Sequence, residues 1–368
     1  MDIAIPKEAV SEERRVGLAP SGVDTLVRQG HRVYVESQAG VGGGFDDAEY
    51  EKAGAALVFN RDEVFRRAEL VVKVWPLSVE EARLFGSGQK VASFVELGLQ
   101  TRERMDLLRV AGVTAYAFDN IIEPSGLRPF IQAMGEITAG RIPIIAGRYM
   151  NSLTGGRGIV LGDVPGVPPA TVLIIGAGTV GSGAARHLGA LGARVILLDI
   201  DLHKLRAHVH VDRERPQTLL CTPYHLERHL PAADIVVGAV SAPGDLAPRV
   251  LTRTHMRLMR PRSLFIDVAI DQGGCAETSH PTTHSNATYV EENVTHYCVP
   301  NIPSSVARSS SYALTNAALP YVSAIASGKA GDPAIDASLR HSIYMQGGLC
   351  THEKIAKLFG LTLGEAKK

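Results

Sequence analysis

Three glycines have the spacing of a turn that binds phosphate. Gly176, Gly178 and Gly181 follow an apolar segment, residues 171–175, and open a segment of helical composition. Gly176 permits a tight turn, Gly178 lets backbone N–H groups approach an anion, and Gly181 lets the helix pack closely against a strand. The partial positive charge at a helix N-terminus favours that anion. The pattern predicts a dinucleotide-binding turn that holds a pyrophosphate.

An aspartate ends the next apolar segment, at the distance expected for a ribose-binding acid. Asp199 closes residues 194–199, and an acid about 20 residues after the glycines belongs to the dinucleotide fingerprint. Its carboxylate can accept hydrogen bonds from the ribose hydroxyls and would repel a 2′-phosphate, which favours NAD over NADP. Thr179 and Val180, at the start of the helix, complete the expected contacts. The alternative is an ordinary strand–turn–helix unit without a ligand.

The elements that must position this turn alternate along the chain. Short apolar segments and amphipathic helical segments follow one another in the first third of the sequence and again after residue 170. Such alternation predicts parallel sheets with helices on both faces. We therefore expect an α/β fold of two doubly wound, Rossmann-like domains joined by long crossing helices. The expected domains are 1–131 with 310–368 for the substrate, and 132–309 for NAD.

Two details of this prediction concern a long helix and the C-terminal tail. Residues 132–153 have mostly helical composition, with a break or kink expected at Pro143. Residues 343–363 lack the strands of a third domain and are expected to pack against the first domain. Because ligands of such folds bind where parallel strands end, we expect the site in the cleft between the domains.

Composition restricts the classes of protein. The 368 residues suit two domains, and the 38 basic residues balance the 38 acidic residues, so neither a nucleic-acid nor a membrane partner is indicated. The N-terminus lacks a signal-peptide pattern, and we expect a cytoplasmic protein. The four cysteines are scattered, and no metal site is predicted. We expect one polar, histidine-rich stretch to be solvated, and its members are His203, His208, His210, His225 and His229.

Longer motifs, spread over nearly the whole chain, resemble one enzyme family. They are Ile5–Glu8, Arg15–Pro20, Gly40–Gly42, Gly162–Val167, Val268–Gly274, Tyr312–Ala317 and Thr351–Glu353. Together with the glycine turn they resemble the alanine dehydrogenase/pyridine nucleotide transhydrogenase superfamily, and the Asp-Gln-Gly-Gly run within Val268–Gly274 is similar to alanine dehydrogenases. The resemblance implies an NAD-dependent oxidoreductase acting on the CH–NH2 or C=N group of an amino acid or imine. It also implies a homo-oligomer, either a dimer or a hexamer.

The same resemblance suggests roles for individual residues. Arg15 lies where family members bind the substrate carboxylate, for which a guanidinium offers two parallel donors. Asp271 takes the place of the family's catalytic-loop aspartate, beside the nicotinamide and the substrate. Taken alone, Arg15 would form a surface ion pair and Asp271 would cap a turn. The positions that line the nicotinamide and its ribose in the family are occupied here by Val240, Ser241, Ile270 and Asn301.

Two positions depart from the family pattern. Alanine dehydrogenases have a Lys-Glu-Pro run after the strand that ends here near Val74, and its lysine binds substrate oxygens. Trp75, the chain's single tryptophan, occupies that place beside a one-residue deletion. Lys73 lies two residues earlier, on the same face of a strand, and is an alternative stand-in for the lysine. Glu96 occupies the position of the family's general acid/base histidine.

These replacements change the chemistry expected of the pocket. Exchanging a lysine and a neutral histidine for Trp75 and Glu96 makes the site more negative by about two charges, which disfavours the carbonyl of an oxo acid. An indole face and a carboxylate attract a cationic amine or iminium. Alanine and pyruvate are the family default, but we expect a different substrate, such as a cyclic imine, a secondary amine or a diamino acid. In this interpretation Glu96 moves the proton. The alternative is a structural ion pair between Glu96 and Lys73.

Two further functions remain compatible with the sequence. One is an amino-acid cyclodeaminase that uses tightly held NAD without net redox change. The other is an NAD-binding protein that has lost catalysis.

Overall fold

A computed structural model describes residues 1–10, 12–209, 216–242, 246–328 and 331–364. The chain divides into two compact units. The first unit comprises Met1–Met134 and Ser304–Lys368, and the second comprises Gly135–Pro303. In the described part of the chain, no helix is both long and apolar enough to cross a membrane.

Strands and helices alternate over most of the sequence. The strands are β1 (Asp2–Ile5), β2 (Arg32–Glu36), β3 (Ala56–Val58), β4 (Leu70–Val72), β5 (Lys90–Ser93), β6 (Thr114–Ala117), β7 (Thr171–Ile175), β8 (Arg194–Asp199), β9 (Gln217–Leu220), β10 (Ile235–Gly238), β11 (Leu264–Asp267), β12 (Thr288–Glu291), β13 (Val294–Tyr297), β14 (Ile343–Gln346) and β15 (Leu349–Cys350). The helices are α1 (Pro20–Arg28), α2 (Asp47–Lys52), α3 (Arg61–Arg67), α4 (Val79–Ala82), α5 (Arg102–Val110), α6 (Pro129–Tyr149), α7 (Thr179–Ala190), α8 (Leu202–Arg206), α9 (Pro223–His229), α10 (Arg253–Leu258), α11 (Ala307–Ser327), α12 (Pro333–Ser342) and α13 (Glu353–Phe359).

The first unit is built on an eight-stranded sheet with the order β15-β14-β6-β5-β4-β1-β2-β3. Strands β1 to β6 pair in parallel. Each residue of β4 is buried, as expected for an inner strand covered on both faces. At the edge, β14 runs antiparallel to β6, and β15 runs antiparallel to β14. The sheet is therefore mixed at this edge rather than wholly parallel.

The C-terminal tail contains a hairpin that the sequence analysis did not predict. Residues 343–363 were expected to lack the strands of a third domain, and their strands β14 and β15 instead extend the first sheet. The hairpin turn consists of Gly347 and Gly348, whose φ angles of 56° and 81° suit a two-residue turn that only glycine enters easily. That Gly-Gly pair was the sequence signal for the hairpin. The tail does pack within the first unit, as expected.

The second unit contains a seven-stranded sheet with the order β12-β13-β11-β10-β7-β8-β9. All its strands pair in parallel except β12, which is antiparallel to β13. Alternate residues of β7 enter two different cores: Val172 and Ile174 pack with α6 and α7, whereas Leu173 and Ile175 pack with α9 and α10. Both faces of the sheet are therefore covered, which confirms the predicted doubly wound α/β architecture.

Two helices of 21 residues each flank the second unit in the sequence. Helix α6 contains the unit boundary between Met134 and Gly135 and continues through Pro143 to Tyr149. Of the break or kink predicted at Pro143, the break is therefore wrong and the kink stays a prediction. Pro143 is buried, and packing of its neighbours Ile142 and Ile145 in the core holds the helix together despite the missing backbone donor. Helix α11 lies within the first unit.

Replacing Met345 with alanine tests whether the C-terminal hairpin belongs to the core. Met345 is completely buried among residues of the first sheet, so the substitution should lower the free energy of unfolding by about 2–5 kcal/mol. Leu358 is 61% exposed, and its replacement by alanine should change stability by less than about 0.5 kcal/mol. Urea unfolding followed by circular dichroism measures both. Equal effects of the two substitutions would contradict the assignment of Met345 to the core.

Candidate functional site

The glycine turn after β7 is shaped by close backbone contacts. Gly176 has a φ of +104°, and a Cβ there would lie 2.4 Å from the carbonyl oxygen of Ala239. A Cβ at Gly181 would lie 1.8 Å from the carbonyl oxygen of Gly176. By contrast, a Cβ at Gly178 would meet no atom within 4 Å in the described part of the chain. Gly176 and Gly181 therefore serve the fold, whereas Gly178 faces space that a ligand can use.

The start of α7 suits an anion. Gly178 is the N-cap residue of α7 and has no side chain with which to cap the helix, and Thr179 and Val180 are its first two residues. The N–H groups of a first helical turn have no partners within the helix, so they are suited to bind a phosphate. Together with the open space at Gly178, this turn fits the pyrophosphate of a dinucleotide.

Asp199 lies at the end of β8 and is 7% exposed. Its Oδ2 accepts a hydrogen bond from the N–H of Ala177 at 2.6 Å, and its Oδ1 accepts one from the N–H of Asp201 at 2.8 Å. The Nζ of Lys204 lies 4.0 Å from Oδ2. The carboxylate thus holds the middle of the glycine turn, a contact that the sequence analysis did not predict. Each carboxylate oxygen can accept more than one hydrogen bond, so ribose recognition by Asp199 stays a prediction.

The other predicted cofactor residues follow neighbouring parallel strands. Val240 and Ser241 come after β10, and Ile270 and Asp271 lie in a 3-10 turn (Val268–Gln272) after β11. Asn301 follows β13, and its N–H donates to Oδ1 of Asp271 at 3.1 Å. Because β7, β10, β11 and β13 are parallel neighbours, their carboxyl ends bring these residues and the glycine turn to one edge of the second sheet.

Asp267 organises the loop that carries Asp271, and the sequence analysis missed it. It is completely buried at the end of β11. Its Oδ1 accepts from the N–H of Ala269 at 3.0 Å, and its Oδ2 accepts from the N–H of Cys275 at 2.9 Å and from Oγ of Ser279 at 2.5 Å. The sequence does contain a signal for this role, because Asp267 is an acidic residue at the end of an apolar strand, four residues before Asp271.

In the first unit, Arg15 is buried rather than on the surface, since it is 6% exposed. Its Nε donates to Oε1 of Glu13 at 2.7 Å, and its Nη2 donates to Oε2 of Glu13 at 2.5 Å. Its Nη1 donates to Sδ of Met134 at 3.3 Å. Burial opposes the charged guanidinium, but the neighbouring carboxylates of Glu13, Glu8 and Glu96 raise the pKa of Arg15 above its usual value. Arg15 and Glu96 therefore share one electrostatic environment.

Lys73 is bound by two carboxylates. Its Nζ lies 2.8 Å from Oε2 of Glu81 and 3.2 Å from Oε2 of Glu8, and all three side chains are at most 2% exposed. Burial by itself lowers the pKa of Lys73, but the carboxylates of Glu8 and Glu81 raise it by more. The pKa of Lys73 is therefore above its usual value. The predicted alternative paired Lys73 with Glu96, but the structure gives Lys73 these two other partners. A Cβ at Gly17 would lie 2.9 Å from the Cα of Lys73, so the N-terminal segment packs directly against the end of β4.

Trp75 and Glu96 follow adjacent parallel strands, β4 and β5. The carbonyl oxygen of Val74 accepts from the N–H of Phe94 at 3.1 Å, which aligns the two strand ends. Both Trp75 and Glu96 are half-buried. The N–H of Trp75 donates to Glu8, and the N–H of Glu96 donates to Asp119. In the first unit, Lys73 and the backbone of Trp75 share Glu8 as a partner, and Glu96 acts electrostatically on Arg15. Asp271 belongs to the second unit.

Carboxyl groups and cations lie close together in this part of the first unit. Burial, with a smaller contribution from Glu13, raises the pKa of Glu8 to about 7 even though Lys73 opposes the shift. A cleft of about 270 Å³ lies beside this group, and its charged lining residues are the acids Glu8 and Glu13 and the cations Lys7, Arg14 and Arg15. In the described part of the chain, Lys73, Trp75 and Glu96 are not among the residues that line this cleft. The two buried cations, Arg15 and Lys73, already face carboxylates.

The histidine-rich stretch is only partly solvated: His203 is exposed, whereas His208, His225 and His229 are half-buried, and Nδ1 of His225 has no hydrogen-bond partner among the described residues. Nε2 of His208 lies 2.9 Å from Oγ of Ser182, and the rings of His225 and His229 stack with centroids 6.2 Å apart. His210 lies outside the described residues.

These features define the class: a two-unit α/β protein with a dinucleotide-binding turn at the carboxyl edge of one parallel sheet and a buried, charged site in the other unit. The family models of the alanine dehydrogenase/PNT C-terminal and N-terminal domains match residues 143–353 and 4–138. The chain belongs to the alanine dehydrogenase/PNT family and is an enzyme of the amino-acid dehydrogenase class. The predicted family resemblance is confirmed.

Relatives match over nearly the full length. An alanine dehydrogenase from Halomonas elongata is 41% identical over 100% of this chain and 99% of its own length. One from Bacillus subtilis is 37% identical over 100% of this chain and 97% of its own length. A solved structure of an L-alanine dehydrogenase superimposes with a TM-score of 0.92 at 37% identity, covering 98% of this chain and 99% of that one. A transhydrogenase from Sinorhizobium meliloti, 22% identical with a TM-score of 0.83 over 96% of this chain and 100% of that one, shares the fold.

Two glycine substitutions separate the fold requirement from the ligand requirement of the turn. Gly181→Ala should lower the free energy of unfolding by about 3 kcal/mol or more, because its Cβ has no room beside the Gly176 carbonyl oxygen. Gly178→Ala should change stability by less than about 1 kcal/mol, since its Cβ meets open space. Calorimetric unfolding of both variants measures the difference. Equal stability of the two variants would show that the turn is not packed as described.

Proposed function

We propose that this chain is an NAD(H)-dependent oxidoreductase that acts on the carbon–nitrogen bond of a cationic amino compound. The substrate class would be a cyclic imine, a secondary amine or a diamino acid rather than alanine and pyruvate. The observation that carries the proposal is that Trp75 and Glu96, which by the family resemblance replace a lysine and a histidine, follow two adjacent parallel strands whose ends are aligned. The relatives named alanine dehydrogenase support the reaction class, and these two residues support a different substrate.

The second unit would hold the cofactor. The open space at Gly178 and the N-terminus of α7 fit the pyrophosphate, and the buried acid Asp199 suits a ribose diol and NAD rather than NADP. When bound, the nicotinamide supplies the redox chemistry of the reaction. Val240, Ser241, Ile270 and Asn301 would line its ribose and ring. We accordingly assign residues 132–309 to NAD binding and residues 1–131 with 310–368 to the substrate.

Arg15 would bind the substrate carboxylate. A guanidinium has five N–H donors, and the contacts with Glu13 and Met134 use one on Nε, one on Nη2 and one on Nη1. In the described part of the chain, these contacts leave one N–H donor on each of the two terminal nitrogens, Nη1 and Nη2. This pair of donors can bind both oxygens of a carboxylate. Glu13 fixes the plane of the guanidinium, so the donor pair is held in a defined direction.

Lys73 would not replace the missing family lysine. Its ammonium is 1% exposed and is bound by Glu8 and Glu81. Withdrawing a buried lysine from two carboxylates would leave their charges uncompensated. A carbonyl oxygen of an oxo acid would therefore find no accessible ammonium from this residue, which argues against pyruvate as the preferred substrate.

Trp75 and Glu96 would recognise and process the amine. The indole face attracts a cation, and the Glu96 carboxylate can hold an ammonium or iminium N–H and accept or return its proton. By the family resemblance, Asp271 stays the predicted catalytic-loop aspartate, with the role of orienting the reacting group. The homo-oligomeric state and the cytoplasmic location stay predictions from the sequence and the family resemblance.

Substrate specificity can be measured by following NADH at 340 nm. Cyclic imines and diamino acids should give values of kcat/KM at least about 100-fold above pyruvate with ammonium, because a carboxylate replaces the donors that a carbonyl requires. The double variant Trp75→Lys/Glu96→His is the matched control, and it should shift this ratio toward pyruvate. Reduction of pyruvate and ammonium by the natural chain at about 10 s⁻¹, an ordinary enzymatic rate, would contradict the altered substrate. Release of ammonia without NADH formation would indicate a cyclodeaminase instead.

Glu96→Gln tests proton transfer. The amide keeps the shape of the carboxylate but cannot exchange the proton, so kcat with the substrate found above should fall by about 10²- to 10⁴-fold. NADH affinity, measured by titration calorimetry, should stay within threefold, since Glu96 belongs to the other unit. Glu80→Gln removes an exposed acid from α4 and is the matched control. Unchanged turnover in Glu96→Gln would remove Glu96 from the reaction.

A further inference from the structure

The backbone segments that follow strands β4 and β5 are each held by one carboxylate. Oε1 of Glu8 accepts from the N–H of Val74 at 2.6 Å, and Oε2 of Glu8 accepts from the N–H of Trp75 at 3.3 Å. On the neighbouring strand, Oδ1 and Oδ2 of Asp119 accept from the N–H groups of residues 95 and 96 at 2.9 and 3.2 Å. We call each arrangement a carboxylate clamp: one carboxylate that binds two successive backbone N–H groups. Each clamp holds a residue at which this chain departs from its family.

The clamp on Trp75 is supported from three directions. Glu8 reaches the strand end from the N-terminal segment, and its side chain is only 2% exposed. Lys73, on the same strand, places its Nζ 3.2 Å from Oε2 of Glu8. Pro76 follows directly, and a residue that precedes proline is confined to extended backbone conformations. The backbone of Trp75 is therefore fixed on both sides, which restricts the rotamers that its side chain can adopt.

Asp119 shows that such a clamp can hold a backbone away from its preferred conformation. Glu96 has a φ of +43°, which is uncommon for a residue other than glycine and has to be stabilised by its surroundings. Hydrogen bonds from two successive N–H groups to one carboxylate are a stabilisation of this kind. The same geometry at Glu8 can therefore determine where the indole of Trp75 lies.

We propose that Glu8 is a positioning residue that fixes the indole of Trp75 and thereby sets the substrate preference of the site. Its importance for selectivity rests on the proposed function, in which Trp75 receives the cationic substrate. The position of the indole itself does not depend on that function and can be measured without substrate.

The charge of Glu8 changes near neutral pH. The groups that face it are Lys73 at the end of β4, Glu81 on α4, and Glu13 and Arg15 in the N-terminal segment. Burial is the largest influence and raises the pKa of Glu8 to about 7, against the opposing effect of Lys73. Below that pH the carboxyl is neutral, loses one acceptor site and binds the two N–H groups less strongly. The clamp therefore holds Trp75 more tightly on the alkaline side.

Because Trp75 is the single tryptophan, its fluorescence reports only on this position. In the natural chain without ligands, the emission maximum should shift to longer wavelength and acrylamide quenching should increase as the pH falls from 8.5 to 5.5. The change should be half complete near pH 7, where Glu8 titrates. Constant emission across this range would overturn the proposal without any variant.

Variants identify the group that titrates. Glu8→Gln should abolish the pH-dependent transition, whereas Glu8→Asp, whose shorter side chain does not reach both N–H groups, should give the long-wavelength emission at every pH. Asp119→Asn weakens the neighbouring clamp and is the matched control, and it should keep the transition. A transition that survives in Glu8→Gln, or one that disappears in Asp119→Asn, would show that a histidine or a general loosening is responsible and would overturn the proposal.

Selectivity is then measured with the amine or imine substrate found in the NADH screen. At pH 8, Glu8→Gln should raise KM at least tenfold and change kcat less than threefold, because positioning of Trp75 affects binding more than proton transfer. An unchanged KM would overturn the assigned role in substrate preference. If the screen finds pyruvate and ammonium as the substrates, the proposed function fails, while the fluorescence titration still decides whether Glu8 positions Trp75.

Discussion

The packing around the site in the first unit depends on neutralising the buried ammonium group of Lys73 with nearby carboxylates. Lys73 lies at the end of β4, where water is excluded, and an isolated charge there would cost several kcal/mol. Glu8 and Glu81 compensate it from two different parts of the chain. Glu8 in turn binds the backbone of residues 74 and 75, so the same carboxylate joins the N-terminal segment, the lysine and the site. Removing any one member would expose the charges of the others to an apolar surrounding.

Both units use carboxylates to shape loops at the carboxyl ends of parallel strands. Glu8 and Asp119 do so in the first unit, and Asp199 and Asp267 do so in the second. Such loops have backbone N–H groups that need acceptors once strand pairing ends. Each of these carboxylates accepts hydrogen bonds from two backbone N–H groups of its loop. These carboxylates hold the backbone of the loops in place. The side chains that the loops carry can therefore differ in chemistry while the loop backbone stays the same.

The sequence predicted what depends on local patterns. The glycine turn, the aspartate at the end of β8 and the alternating strands were all found, because their constraints act between residues close in the chain or follow a simple period. The pairing of Lys73 with Glu8 was not predicted, since the two residues are more than sixty positions apart and no spacing rule links them. The C-terminal hairpin was missed because its strands are short and only Gly347 and Gly348 mark the turn.

The hydrogen bond between Asp199 and the N–H of Ala177 has a consequence for engineering the enzyme. One carboxylate fixes the loop proposed to hold the pyrophosphate and faces the proposed position of the adenosine. Redesign toward a phosphorylated coenzyme could not succeed by exchanging Asp199 alone, because the loop would lose its internal support at the same time. A compensating acceptor for the Ala177 N–H would have to be introduced in the same step.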